Sequence, residues 1–183
     1  MRPDISPNLV HFTKGATFHD AYANFKSIIN DKKIRGGTGF IKGNHTCVCF
    51  SEIPPQMTPR GLVNANSFSN YAPFGFMFSK EYIYSIGGRP AIYQSEEDFH
   101  LLHPSIQWRH VRFELGGSNP VDFTWEREWR APIENIPIDP AFTHLVFPNR
   151  PWYRYFLEEY HSDQMEGVQH YSHIHGTAFA HQC

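Results

Sequence analysis

Residues Trp125-Glu126-Arg127-Glu128-Trp129-Arg130 form a hexapeptide in which side chains of different character alternate. As a β-strand, the hexapeptide carries both tryptophans and Arg127 on one face, and Glu126, Glu128 and Arg130 on the other. Carboxylates two positions apart on a strand lie roughly 6–7 Å from each other. Such a pair suits a site where positive charge develops on a substrate. It also suits an outward-facing strand with ion pairs, in which Arg130 neutralises one of the carboxylates.

The composition indicates one folded domain made of many short elements. The chain has 183 residues, of which 40% are hydrophobic, and it contains 16 Phe and 9 Tyr. This length and apolar content allow a proper core. The 13 Gly and 14 Pro predict frequent turns rather than a helical bundle. The formal net charge of −2 excludes a general basic field for non-specific nucleic-acid binding.

The cysteines and the apolar segments predict the compartment. Cys47 and Cys49 are two residues apart, Cys183 is terminal, and no CxxC pair is present, so we expect a reducing environment. The first residues lack a basic-then-apolar signal, and no apolar run of about 18 residues occurs. We therefore expect a cytoplasmic protein that does not contact a membrane.

The pattern of apolar and turn residues predicts a mixed α+β fold. Thr17 and Asp20 resemble a capping box that opens a helix through about Asn30, and Ser79 can cap a short helix that ends at Gly87. We expect strands at residues 9–12, 46–50, 74–78, 89–93, 121–132 and 143–147, a turn at 33–39, and a late helix at 152–161. One domain is predicted over residues 1–161, followed by a His-rich tail at 162–183. His173 and His175 either share a strand face that binds a metal or belong to a flexible polar tail, the interpretation that we favour.

Four segments, taken in their order, resemble a known family. They are LVHFT at residues 9–13 with the helix segment FKSII at 25–29, CVCFSE at 47–52, YAPFGFMFSKE at 71–81 followed by GRPAIY at 88–93, and EREWR at 126–130. Together they resemble the AbiGi-type abortive-infection proteins and, more distantly, ADP-ribosyltransferase-fold toxins of the DarT kind. The resemblance covers roughly residues 9–132.

The resemblance implies a split β-sandwich with short helices that binds NAD, the substrate, in its cleft. His11 and Thr13 match the first motif position, and Glu128 matches the catalytic glutamate. The resemblance implies that His11 and Glu128 face one crevice with space for a dinucleotide. The other candidate side chains are Glu126 for the acceptor, Arg130 for the NAD phosphates, and Ser51, Tyr71, Tyr82 or Tyr93 for the middle position. Each also has a structural interpretation, as a core residue, a turn residue or half of an ion pair.

The function implied by the resemblance is transfer of ADP-ribose from NAD to a nucleic acid (RNA or single-stranded DNA) or to a protein. Such an enzyme is expected to act as a toxin in anti-phage defence, and a cognate antitoxin remains an open expectation. Two alternatives remain at this point. One is an NAD glycohydrolase that uses the same site with water as acceptor. The other is a non-catalytic antitoxin or binding module on the same fold.

Overall fold

The computed structural model of the chain describes residues 5–54, 71–162 and 173–175. The strands are β1 (Asn8–Lys14), β2 (Lys33–Arg35), β3 (Val48–Ser51), β4 (Tyr71–Ser79), β5 (Arg89–Pro90), β6 (Ile92–Gln94), β7 (His110–Arg112), β8 (Glu128–Ala131), β9 (Asn135–Pro137), β10 (His144–Phe147) and β11 (His173–His175). The α-helices are α1 (Phe18–Asp31), α2 (Lys80–Ser85) and α3 (Arg150–Ser162). Short 3₁₀ helices span Glu97–Leu101, Pro104–Arg109 and Thr124–Glu126.

A seven-stranded sheet in the order β11-β10-β4-β1-β3-β8-β5 organises these elements. Its strand pairs are antiparallel except for β10 and β11, which run parallel. Two small sheets accompany it, an antiparallel β2–β9 pair and a parallel β6–β7 pair. The predicted α+β class is confirmed at this level.

Local signals in the sequence fix both ends of α1. The Thr17 hydroxyl accepts a hydrogen bond from the Asp20 amide at 3.1 Å, and the Thr17 amide donates to the Asp20 carboxylate at 3.0 Å. This reciprocal pair satisfies two amides that the first helical turn leaves without partners. The helix ends where Lys32 adopts a left-handed conformation with φ of 53°. The predicted capping box is confirmed.

The second predicted helix is also confirmed. The Ser79 hydroxyl accepts from the Tyr82 amide at 3.1 Å and caps α2. After the helix, Gly87 has φ of 95°, a conformation that side-chain-bearing residues rarely adopt. The Gly88 amide then donates to the Ile83 carbonyl at 2.8 Å. The two glycines therefore end the helix, as the sequence predicts.

One face of the sheet packs against the helices and forms the main core. At its centre the Phe25 ring of α1 lies 4.9 Å from the ring of Phe76 in β4 and 5.9 Å from that of Phe156 in α3. Phe50 and Trp129 extend this core into β3 and β8. Stacked and edge-to-face aromatic contacts of this kind add to the stabilisation that burial provides. Several of the phenylalanines are thus gathered on the helical side of the sheet.

The other face of the sheet carries a different set of residues. A small buried cluster contains Val10, Phe12, Met77 and Val146. Beside it, the 3₁₀ helix Pro104–Arg109 and the start of β7 pack on β8 through hydrogen bonds to a buried arginine. This half of the sheet thus has a second layer on the face opposite the helices.

The structure corrects the strand predicted for residues 121–132. Residues Thr124–Glu126 form a 3₁₀ turn, and Arg127 is left-handed with φ of 46°. Only Glu128–Ala131 forms a strand. The predicted alternation over the whole hexapeptide is therefore wrong, because the break at Arg127 interrupts the two-residue period before Glu128.

Three other elements differ from the sequence prediction. Lys33–Arg35 forms β2 rather than a turn, because Ile34 is buried opposite Ile136 of β9. The strand predicted for residues 89–93 is divided at Ala91, whose amide donates to the Glu128 carbonyl. In the predicted tail, residues His173–His175 pair with β10 and extend the main sheet. None of the helices within the described ranges is long and apolar enough to cross a membrane.

Candidate functional site

The pairing of β3 with β8 brings Ser51 and Glu128 together from distant parts of the chain. Ser51 lies directly opposite Glu128, and Cys49 lies opposite Arg130. Opposed residues of antiparallel strands share a face. These four side chains therefore lie on the face that carries the second layer. We call this group of four, together with Tyr93, the Glu128 site.

Arg130 is the most buried charged group of the Glu128 site. Its residue is 3% exposed, and the side chain of Glu128 is 12% exposed. Arg130 Nε donates to Glu128 Oε1 at 2.9 Å, and Nη2 donates to Oε2 at 3.1 Å. Nη1 donates to the carbonyls of Trp108 and His110, at 2.8 and 2.9 Å. The guanidinium predicted to bind NAD phosphates is thus engaged by protein groups, and the alternative pairing with Glu128 is observed.

Cys49 of β3 and Cys47, the residue before the strand, lie near this ion pair. The Cys49 thiol lies on the same face of the sheet as the Glu128 carboxylate and close enough for the charge of that carboxylate to act on it. Burial, followed by the negative charge of Glu128, raises the pKa of Cys49. Burial also raises the pKa of Cys47 to about 11, although the nearby Arg130 cation acts in the opposite direction. Both thiols are therefore held in the protonated, weakly nucleophilic form.

Tyr93 reaches the site from β6. Its hydroxyl oxygen accepts a hydrogen bond from the Glu128 amide at 2.8 Å. Burial raises the pKa of Tyr93 to about 12, and the negative charges of Glu128 and Glu126 act in the same direction. The phenol therefore remains protonated at neutral pH. Tyr82 and Tyr93 are the nominated tyrosines whose side chains the structure describes, and of these two Tyr93 contacts the start of β8 through its hydroxyl.

Ser51 and Glu126 contact each other through the backbone of the turn before β8. The Ser51 hydroxyl donates to the Glu126 carbonyl at 2.7 Å and accepts from the Ile53 amide at 3.1 Å. These bonds fix the turn before Glu128. Because the turn precedes the strand, Glu126 does not share a strand face with Glu128. The carboxylate of Glu126 is nevertheless close enough to raise the pKa of Tyr93.

His11 lies on the other side of the sheet. Val10 is paired with Ser51, so its neighbour His11 points to the face that carries Phe50, and the two rings are 6.2 Å apart. His11 Nδ1 donates to the Cys49 carbonyl at 2.8 Å. Burial lowers the pKa of His11, which favours the neutral ring. The expectation of one crevice shared by His11 and Glu128 is therefore wrong, because strand alternation separates them.

The remaining candidates lie away from the Glu128 site. The Thr13 hydroxyl is buried and donates to the Phe74 carbonyl at 3.3 Å. Tyr82 packs against Phe142, with ring centres 4.6 Å apart, at the margin of the core. Tyr71 begins β4, and its side chain lies outside the described part of the structure. The same holds for His161, His170, His173, His175 and His181 of the His-rich segment.

Two features of the site were not found by sequence reasoning. One is the contact of Cys49 with Glu128, which the period of two in β3 could have suggested once Ser51 was placed opposite Glu128. The other is the pair of carbonyls at Trp108 and His110 that accept from Arg130. No sequence signal marks a backbone carbonyl as the partner of a distant arginine.

Comparison of the chain with protein-family models, with curated proteins and with solved structures gives no match in any of the three.

Proposed function

We propose that the protein is an ADP-ribosyltransferase that acts from the Glu128 site and uses NAD as substrate. The observation that carries the proposal is the position of the Glu128 carboxylate. It lies at the first residue of β8 and is 12% exposed. Arg130 holds it in place, the Cys49 thiol lies nearby, and the Tyr93 hydroxyl accepts from the Glu128 amide. The resemblance of four ordered segments to ADP-ribosyltransferase-fold toxins supports the same assignment, and so does the mostly antiparallel α+β fold.

A fixed carboxylate has a defined task in this reaction. Cleavage of the bond between nicotinamide and ribose sends its electron pair to nicotinamide and leaves positive charge on the ribose. An oriented carboxylate stabilises that charge as it develops, as carboxylates do in glycosidases. Two Arg130 hydrogen bonds occupy two of about four acceptor positions on Glu128. The carboxylate therefore keeps acceptor capacity for a ribose hydroxyl.

Glu126 has the role of acceptor base in the proposal. The acceptor, a base amino group, a hydroxyl or a protein side chain, forms a bond to the ribose carbon that nicotinamide leaves. Its proton passes to the Glu126 carboxylate and then to solvent. A single nucleotide base can be read by stacking in a pocket, so the net charge of −2 is compatible with RNA or single-stranded DNA. A toxin in anti-phage defence, acting in the cytoplasm, is the biological setting that we propose.

The test uses NAD labelled in its adenylate phosphate, incubated with the full chain and total cell lysate. Nuclease or protease digestion then identifies the labelled acceptor, and released nicotinamide measures NAD cleavage. Glu128→Gln keeps an acceptor for Arg130 but removes the charge. We expect it to lose on the order of 100- to 1,000-fold in transfer. Glu158→Gln, an exposed carboxylate of α3, is the matched control and should retain the parent rate.

Three results separate the alternatives. Transfer by Glu128→Gln at the parent rate would overturn the assignment of the carboxylate. Nicotinamide release without a labelled acceptor would replace transfer with hydrolysis. A parent chain that consumes no NAD, while circular dichroism shows it folded, would overturn the enzymatic proposal altogether.

A second function, that of a non-catalytic antitoxin or binding module, is favoured by one observation. Both oxygens of Glu128 are paired with Arg130, and His11 faces the opposite side of the sheet. An ion pair satisfied in this way needs no substrate. The binding-module proposal predicts that the parent and Glu128→Gln consume no NAD and that both capture a partner protein in a 1:1 complex.

A further inference from the structure

Three buried polar atoms lie on the face of β6–β7 that points away from the main sheet. They are Gln94 Oε1, Arg112 Nε and His110 Nδ1, and none of them has a hydrogen-bond partner among the described residues. Buried polar atoms are nearly always hydrogen-bonded. Three exceptions in one small sheet therefore indicate a shared cause.

The strand register brings these three side chains to one place. In the parallel β6–β7 pair, Gln94 is the partner of Arg112, and His110 precedes Arg112 by two residues. Neighbouring strands are about 5 Å apart, and residues two apart on a strand are about 7 Å apart on the same face. The intervening Tyr93 points the other way, since its hydroxyl contacts the Glu128 amide. Gln94, Arg112 and His110 therefore surround one small space.

The protonation state of His110 determines which hydrogen-bond donors and acceptors line this space. His110 is 1% exposed, and its Nε2 lies 3.0 Å from the Ser95 carbonyl. A carbonyl oxygen only accepts, so Nε2 carries the proton and Nδ1 of the neutral ring presents a lone pair. Burial lowers the pKa of His110 and favours that neutral ring. The space is thus lined by two acceptors, Nδ1 and Gln94 Oε1, and by one donor, Arg112 Nε.

We propose that the outer face of β6–β7 is a binding site for one buried water molecule, which donates to Gln94 and His110 and accepts from Arg112. A water molecule has two donors and a free acceptor, and buried waters typically make about three hydrogen bonds. Arg112 pairs with Glu114 through Nη2, and its Nε–H still needs an acceptor, which a metal cation cannot provide. A small anion would face the lone pairs of Gln94 and His110. Water is therefore the ligand that satisfies all three atoms.

The bound water stabilises the layer behind the Glu128 site. His110 belongs to β7, and its carbonyl accepts from Arg130, which holds Glu128. Fixing the His110 ring fixes the carbonyl that Arg130 requires. This inference concerns the folded chain alone and does not depend on NAD or on catalysis.

A crystal structure in which ordered solvent is visible tests the site directly, with ¹⁷O magnetic relaxation dispersion to count long-lived internal waters in solution. We expect one solvent peak at about 2.7–3.2 Å from each of the three atoms. A site without such a peak, or a Gln94 amide bonded directly to Arg112, would overturn the proposal.

A double-mutant cycle tests the shared water by energy. Once Gln94→Met has removed one hydrogen-bond partner of the water, His110→Phe should cause a smaller loss of stability than it does in the parent. Each variant should raise the equilibrium constant for unfolding. We expect the rise in the double variant to be about fivefold smaller than the product of the rises in the two single variants. Asn24→Leu, which removes a side-chain hydrogen bond to the Lys14 carbonyl on the helical side of the sheet, is the matched control when combined with His110→Phe, and the effects of that pair should multiply. Effects of Gln94 and His110 that also multiply, within about twofold, would contradict a common ligand.

Discussion

Glu128 and Arg130 face each other along one side of β8, joined by hydrogen bonds of 2.9 and 3.1 Å between the guanidinium and the two carboxylate oxygens. Arg130 extends the connection to the carbonyls of Trp108 and His110. One guanidinium thus ties the start of β8 to the second layer. Its charge is compensated only while Glu128 is present, so each residue depends on the other.

Removing Arg130 alone should be far more costly than removing the pair. Arg130→Met leaves the buried Glu128 carboxylate without its cation, and we expect the free energy of unfolding to fall by about 3–5 kcal/mol. In the double variant Glu128→Met/Arg130→Met, two apolar side chains replace the pair, and the loss should be clearly smaller. Urea unfolding monitored by tryptophan fluorescence measures both values.

Arg35→Met is the matched control for this experiment. Arg35 pairs with Asp31 one helical turn away, and both side chains are largely exposed. The loss there should stay within about 0.5 kcal/mol. Similar losses for Arg130→Met and Arg35→Met would show that the buried ion pair of Arg130 and Glu128 contributes no more to stability than a surface ion pair.

Tyr93 should stabilise the start of β8 through its hydroxyl group. Tyr93→Phe removes the acceptor of the Glu128 amide and leaves that amide without a partner in a partly buried position. We expect a loss of about 1–3 kcal/mol and faster hydrogen exchange at the Glu128 amide. Tyr84→Phe, which alters an exposed ring, should leave both measurements unchanged. Unchanged exchange at Glu128 in Tyr93→Phe would contradict the contact.

Local hydrogen-bond signals made part of the fold predictable. Thr17 with Asp20 and Ser79 with Gly87 define their helix ends through contacts within a few residues, and both helices occur as the sequence indicates. Such caps depend on local backbone chemistry rather than on distant partners. The mixed α+β class followed from the same short-range patterns.

The break at Arg127 could not be predicted in this way. A period of two suggested a strand from Trp125 onward, yet Arg127 is left-handed and the Ser51 hydroxyl binds the Glu126 carbonyl. Ser51 is 75 residues from Glu126 in the chain, so the contact that supports the turn is tertiary. Side-chain alternation carries no information about such a contact.

The composition of the candidate site was only partly predictable for the same reason. Glu128, Ser51 and Tyr93 come together because β3 pairs with β8 and because β6 lies over that pair. The prediction that His11 lies beside them is wrong, because successive side chains along β1 point to opposite faces of the sheet. The strand register determines which residues meet at the site, and that register depends on pairing throughout the sheet.

His11 should make stability depend on pH in the weakly acidic range. Burial lowers its pKa in the folded protein, whereas the unfolded chain binds a proton near pH 6.5. The unfolded state therefore takes up more protons below that pH, and stability is lost as the pH falls from 7 to 5. The contribution of one such histidine is at most about 1.4 kcal/mol per pH unit. His11→Asn keeps a donor for the Cys49 carbonyl but cannot titrate in this range.

We expect His11→Asn to show a shallower fall in stability over this range than the parent, in urea unfolding at a series of pH values. Some slope should remain, because burial lowers the pKa of His110 as well. Nitrogen NMR of the His11 ring should show the neutral form with the proton on Nδ1 at pH 6. Identical slopes in parent and variant would contradict a buried, neutral His11.

The thiols of Cys47 and Cys49 should be inert in the folded protein despite their position near a candidate catalytic carboxylate. With a pKa of about 11, only on the order of a thousandth of Cys47 is thiolate at pH 8, and the pKa of Cys49 is also raised. In a Cys183→Ser background, we expect no fast reaction with a disulfide reagent at pH 8 and two equivalents after unfolding in urea. Fast reaction of one equivalent in the native protein would instead mean that one thiol is accessible and readily ionised. That result would contradict the burial that raises the pKa of both cysteines near Glu128 and Arg130.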